Sequence, residues 1–169
     1  MGLVYVCPLS RVEQVVAQCG ADSLVSLLSP PYRAPRLAAI ARDRHLAIGL
    51  SDIVAPMAGQ VLPESRHVES LIAFFQNWDR ARPLVVHCYA GVSRSPAAAF
   101  IGLCALEAAP EIEIARNLRR LSPSATPNKR LVELADALLS RDGRMVAAIE
   151  SIGRGADCFE GEVFWMETA

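Results

Sequence analysis

The residues best suited to chemistry fall within nine consecutive positions, His87-Cys88-Tyr89-Ala90-Gly91-Val92-Ser93-Arg94-Ser95. Five residues separate Cys88 from Arg94, enough chain to wrap a tetrahedral oxyanion with the backbone N–H groups of Tyr89, Ala90, Gly91, Val92, Ser93 and Arg94 turned inward. Gly91 permits a backbone conformation that would strain any other residue. A thiol at the mouth of a helix N-terminus and beside an Arg is stabilised as thiolate, with pKa values of about 3.5–7.5 in known cases against about 8.5 for a free thiol. Arg94 presents a planar fork for two oxygens of a phosphoryl group, a geometry that Lys does not reproduce. The segment predicts a loop that a phosphate group fits, with the Cys88 thiolate as a nucleophile beside it.

The flanking pattern positions such a loop. Residues 84–88 read as a buried strand after Pro83, and Ser95-Pro96 opens an Ala-rich helix to about residue 108, with Pro in the first turn where its missing N–H costs nothing. Upstream, apolar β-branched runs at 3–7, 23–28 and 45–50 read as strands, and Val12, Val15 and Val16 mark a helix over 11–19. Residues 51–63, with Asp52, Pro56, Gly59 and Pro63, read as a long surface loop. Val68, Leu71, Ile72 and Phe75 then give the apolar stripe of a helix over 64–78. Three further helical patterns lie at 111–121, 128–139 and 144–152, and residues 153–169 carry no clear period. Strands alternating with helices predict a single three-layer α/β/α domain over 1–169 with a four-stranded, mostly parallel sheet.

HCYAGVSRS matches the pattern H-C-x-x-G-x-x-R-S and resembles the signature loop of the cysteine-dependent protein tyrosine phosphatases, in particular the small dual-specificity group. Five specified positions arise by chance in a chain of this length on the order of once in ten thousand. The resemblance extends over about residues 46–139: Asp52 upstream, the apolar strand entering Cys88, the Pro96-led helix, and Pro127-Asn128 followed by Leu131 and Leu134. Asp52-Ile53 followed by Pro56, and Pro127-Asn128 with Arg130-Leu131, look like a bacterial branch.

The resemblance implies a phosphotyrosine protein phosphatase II-like fold with strand order 1-4-2-3 and the Cys88 strand central. It implies metal-independent, cofactor-free hydrolysis of a phosphorylated protein or small phosphomonoester through a phosphocysteine, with phosphate, sulfate or vanadate held by the loop. Asp52, 36 residues before Cys88, would be the general acid, its bland alternative being an Asx-turn or helix cap. Ser95 would donate to the departing thiolate, or cap the helix, or both. His87 would order the loop from behind, and Asn128 would cap a helix close to it.

Composition narrows the alternatives. Seventeen basic against eighteen acidic residues, a net charge of -1, give no field for nucleic acid or an anionic membrane. That Lys129 is the one Lys among the basic residues fits base composition as well as phosphate recognition. Five cysteines, an odd number without a CxxC pair, favour free thiols in a reducing compartment, and the first residues lack the basic and apolar regions of a signal peptide, so the cytoplasm is expected. His45 and His67 read as ordinary structure, and Cys104 as pointing away from Cys88. The competing readings are a phosphate-binding module of the same fold without chemistry, a phosphatase for a non-protein phosphomonoester, and a different thiol enzyme such as a sulfurtransferase or arsenate reductase. Arg94-Ser95 and an upstream acid disfavour sulfur transfer, and the position of the loop disfavours the small arsenate reductases.

Overall fold

The computed structural model describes residues 1–168. The strand that ends on the cysteine, β4 (Leu84–Cys88), is buried at all five positions, as a run of Val and Leu without polar alternation predicts for a strand covered on both faces. It lies at the centre of the sheet, between β1 (Leu3–Pro8) and β2 (Ser23–Leu28), with β3 (His45–Gly49) beyond β2. These four strands are parallel, with Pro8 in register with Cys88, and their order is the expected one.

The sheet has five strands among the described residues rather than four. The fifth, β5 (Phe164–Glu167), comes from the segment without a clear period and pairs antiparallel with β1. Phe164 and Met166 are buried and Trp165 and Glu167 exposed, an edge-strand alternation too short at four residues to stand out in the sequence.

One face of the sheet is covered by α1 (Val12–Cys19), which packs Val12, Val15 and Val16 on Cys7, Leu24 and Val85. The other carries the larger core, under α2 (Ser65–Asn77), α3 (Arg94–Leu106), α4 (Glu111–Leu121), α5 (Lys129–Leu138) and α6 (Arg144–Ile152). The three layers are therefore unequal. In α3, residues 94–104 are all buried, so the helix that begins at the phosphate loop is fixed from every side. The long loop after β3 is pinched at its base, where Ser51 N–H donates to the Val61 carbonyl at 2.8 Å and Ser51 Oγ accepts from Val61 N–H at 3.1 Å. Asp52 sits just past that pinch.

Candidate active site

β4 ends and α3 begins on opposite sides of the loop, so Cys88 and Arg94 are placed by regular elements. Four of the carbonyls between them point outward to backbone donors. Tyr89 O accepts from Leu9 N–H at 3.1 Å, Ala90 O from Gly161 N–H at 2.8 Å, Val92 O from Thr126 N–H at 2.8 Å, and Ser93 O from Asn128 N–H at 3.2 Å. In a trans peptide the C=O of one residue opposes the N–H of the next, so the N–H groups of Ala90, Gly91, Ser93 and Arg94 are turned to the inside. Gly91 has φ +72°, and a Cβ there would meet Pro8 N at 2.8 Å and Cys7 C at 2.9 Å. Both conformation and the close approach of β1 demand glycine.

Cys88 is 2% exposed. Its Sγ lies 3.1 Å from Ser95 Oγ and accepts from Gly91 N–H at 3.3 Å. Ser95 is not the helix cap: α3 starts one residue earlier, at Arg94, and the Ser95 hydroxyl faces the thiol. Arg94 is 6% exposed, and its Nη1 donates to Ser29 Oγ at 2.9 Å and to the Leu50 carbonyl at 3.0 Å. Among the described residues its Nε is buried with no partner, a donor whose desolvation an oxyanion would offset.

Asp52 is exposed, yet its carboxylate is held. Oδ1 accepts from Ser93 Oγ at 2.7 Å and from Asn128 Nδ2 at 2.8 Å, tying the acid to the rim of the phosphate loop. Neither bond is an Asx-turn or a cap. Asn128 does two things at once, because its Oδ1 accepts from Leu131 N–H at 3.1 Å to cap α5 while its amide nitrogen serves Asp52. Beside Asp52 a groove of about 560 Å³ opens, walled by Ile53, Val54 and Met57 on one side and Pro127 and Asn128 on the other. Tyr89, 46% exposed, and Tyr32, 57% exposed, pair at the loop with ring centroids 5.4 Å apart.

His87 is fully buried behind the loop. Its Nδ1 lies 3.4 Å from the Cys88 carbonyl and its Nε2 2.6 Å from Ser26 Oγ, which is 2.9 Å from His45 Nε2. Burial pulls the His87 imidazole down to about 4, against the pull of its bond to Cys88 O and with the nearby His45 and Arg94 adding to the shift. A neutral ring with Nδ1–H on Cys88 O, accepting from Ser26 at Nε2, fits these distances. His45, expected to be ordinary structure, is the outer end of this chain. His67 is structural, its Nδ1 accepting from Glu64 N–H at the start of α2. Cys104 is buried in the core, where burial pushes its thiol up to about 12, and all five cysteines are free.

The loop residues, Ser95, His87, Asp52 and Asn128 thus come together as one constellation. Sequence reasoning missed Ser29 and the Leu50 carbonyl, which hold Arg94, Ser26, which with His45 beyond it holds His87, and Gly161, which holds the loop from outside. Of these only Ser29, directly before Pro30-Pro31, has a sequence signal, and it is one for a turn.

No family model and no curated protein sequence matches the chain. Solved structures do. DUSP15 superposes with a TM-score of 0.63 at 15% identity, over 88% of this chain and 90% of that one. Human DUSP28 gives 0.63 at 19% identity, over 82% and 94%. The human tyrosine phosphatase-like serine/threonine/tyrosine-interacting protein gives 0.64 at 14% identity, over 82% and 92%. The chain has the fold of the dual-specificity phosphatases.

Proposed function

We propose that the protein is a metal-independent phosphomonoester hydrolase, a protein tyrosine or dual-specificity phosphatase working through a phosphocysteine. The observation that carries this reading is convergence within one loop: an Sγ with two donors, N–H groups turned inward, and a buried Arg94 Nε without a partner. The Cys88 thiolate attacks phosphorus in line as the ester oxygen leaves, and Asp52 protonates that oxygen. Water then attacks the phosphocysteine and gives its proton to the Asp52 carboxylate. Sγ departs as a thiolate, received by the Ser95 hydroxyl and the Gly91 N–H. Arg94 and the loop N–H groups hold the equatorial oxygens through both steps.

Human tyrosine phosphatase-like serine/threonine/tyrosine-interacting protein has this fold, so the fold alone does not separate an enzyme from a binding module. The presence of Cys88, Arg94 and Asp52 together favours the enzyme. The aromatic pair Tyr32 and Tyr89 and the apolar groove beside Asp52 suit a flat aryl phosphate on a polypeptide better than a sugar phosphate. Five free thiols fit a reducing compartment such as the cytoplasm, and no described helix is long and apolar enough to cross a membrane.

Steady-state turnover of p-nitrophenyl phosphate and of a phosphotyrosine peptide, with chelator present, tests the reading. Turnover of both with competitive inhibition by vanadate is expected. Phosphate binding without turnover of either would establish the inactive module instead.

Asp52→Asn separates the acid from the rest of the site. The rate on phenyl phosphate, a poor leaving group, is expected to fall about 10²-fold or more, the usual contribution of a positioned acid. The rate on p-nitrophenyl phosphate should fall far less, and the alkaline limb of the kcat/KM profile should disappear. Equal losses on both substrates, with that limb intact, would remove Asp52 from the role.

A further inference from the structure

We propose that the segment following α6 is part of the phosphate-loop machinery, with Gly161 a positioning residue for the Cys88 thiolate. The segment runs as a strap from α6 to the sheet edge. Arg119 holds its start through the Gly153 carbonyl at 2.8 Å. Gly155 N–H donates to Thr126 Oγ1 at 3.0 Å and Ala156 N–H to the Pro123 carbonyl at 2.9 Å. Glu160 accepts from Ser10 Oγ at 2.9 Å, Gly161 N–H reaches Ala90 O at 2.8 Å, and β5 then pairs with β1, Phe164 opposite Val6.

The bond from Gly161 falls on one particular peptide. The Ala90 carbonyl and the Gly91 N–H share a single planar unit, so the donor that fixes the carbonyl also fixes the N–H. That N–H is the one that donates to Cys88 Sγ. Of the loop carbonyls held from outside, Ala90 O alone has its partner in the strap. The approach also sets the residue type, because a Cβ at position 161 would stand 2.8 Å from Gly91 O and 3.3 Å from Gly91 C. Relieving that overlap requires Gly91 or the strap to move: displacing Gly91 carries its own N–H with it, and displacing the strap releases the Ala90 carbonyl, so either change disturbs the N–H bond to sulfur.

This inference rests on residues 88–94 stabilising an ionised Cys88, and its test does not require turnover. Alkylation by iodoacetamide is followed against pH, with modification of the Cys88 peptide read by mass spectrometry. Gly161→Ala is expected to raise the midpoint by about one unit, the scale of a hydrogen bond to a charged group, and so to slow alkylation at acid pH about tenfold. Ser10→Ala, which loosens the strap without adding an atom, should shift the midpoint in the same direction by less. The ionisable groups around Cys88 are Arg94 and Asp52 in the site, His87 behind it and Cys7 on β1; neither variant alters them, and Glu160 is the one charge that Ser10→Ala frees. An unchanged midpoint in Gly161→Ala, with or without a lower melting temperature, would make the strap mere packing and overturn the proposal. Should that variant fail to fold, Ser10→Ala decides in the same way. A shifted midpoint in a protein that hydrolyses nothing would support the positioning role and refute only the phosphatase reading.

Discussion

Cys88→Ser is expected to bring hydrolysis of p-nitrophenyl phosphate down to background while phosphate still binds. The loss is on the order of 10⁶-fold, the scale seen when a hydrolase loses its nucleophile. A thiol is far more acidic and, as its anion, far more nucleophilic than an aliphatic hydroxyl, and the sulfur lies against the Ser95 hydroxyl and the Gly91 N–H at the start of α3. Those contacts fall well short of ionising an aliphatic hydroxyl; Asp52 must hold its proton for the leaving oxygen in this step, and His87 is neutral, buried, and hydrogen-bonded to the Cys88 carbonyl and to Ser26. The oxyanion site is built from backbone N–H groups and Arg94, which the substitution leaves alone. Rates measured with and without phosphate, and phosphate affinity by calorimetry, check both halves. Turnover persisting within tenfold of wild type would mean that hydrolysis occurs elsewhere or without a covalent step.

That the nucleophile was legible in the sequence follows from how local this chemistry is. Cys88, Gly91 and Arg94 act through seven consecutive residues, between an apolar run that reads as a strand and a Pro96-led, Ala-rich run that reads as a helix. What holds the loop was not legible, because those contacts join distant segments through backbone groups that have no sequence identity. Leu50 contributes only a carbonyl, Gly161 only an N–H, and Ser29 a hydroxyl that reads as a turn residue. Asp52 is intermediate. The resemblance implied an acid there, but the bonds that hold it, from Ser93 and Asn128, span 41 and 76 residues. The strand in the tail stayed hidden because four residues of alternation are within the noise of any loop.

Arg94→Lys is the second large effect expected, and it turns on how the guanidinium is divided. Nη1 is engaged by Ser29 and the Leu50 carbonyl, and Nε is buried without a partner among the described residues. In the proposed reaction one planar group thus anchors to the protein and holds the phosphoryl oxygens at the same time. A Lys ammonium is a point charge and cannot span both. If it stays with Leu50 and Ser29, the equatorial oxygens lose their fork. If it turns to the phosphoryl group, a buried carbonyl is left unpaired at a cost of about 1–3 kcal/mol. Each oxyanion donor removed costs about 10²–10³ in kcat, so kcat should fall about 10³-fold or more. Inhibition should discriminate further, because vanadate presents the trigonal equatorial oxygens of the transition state and phosphate does not. Vanadate is therefore expected to weaken more than phosphate in the variant, and equal weakening with kcat within tenfold of wild type would reduce Arg94 to an anchor between β3 and α3.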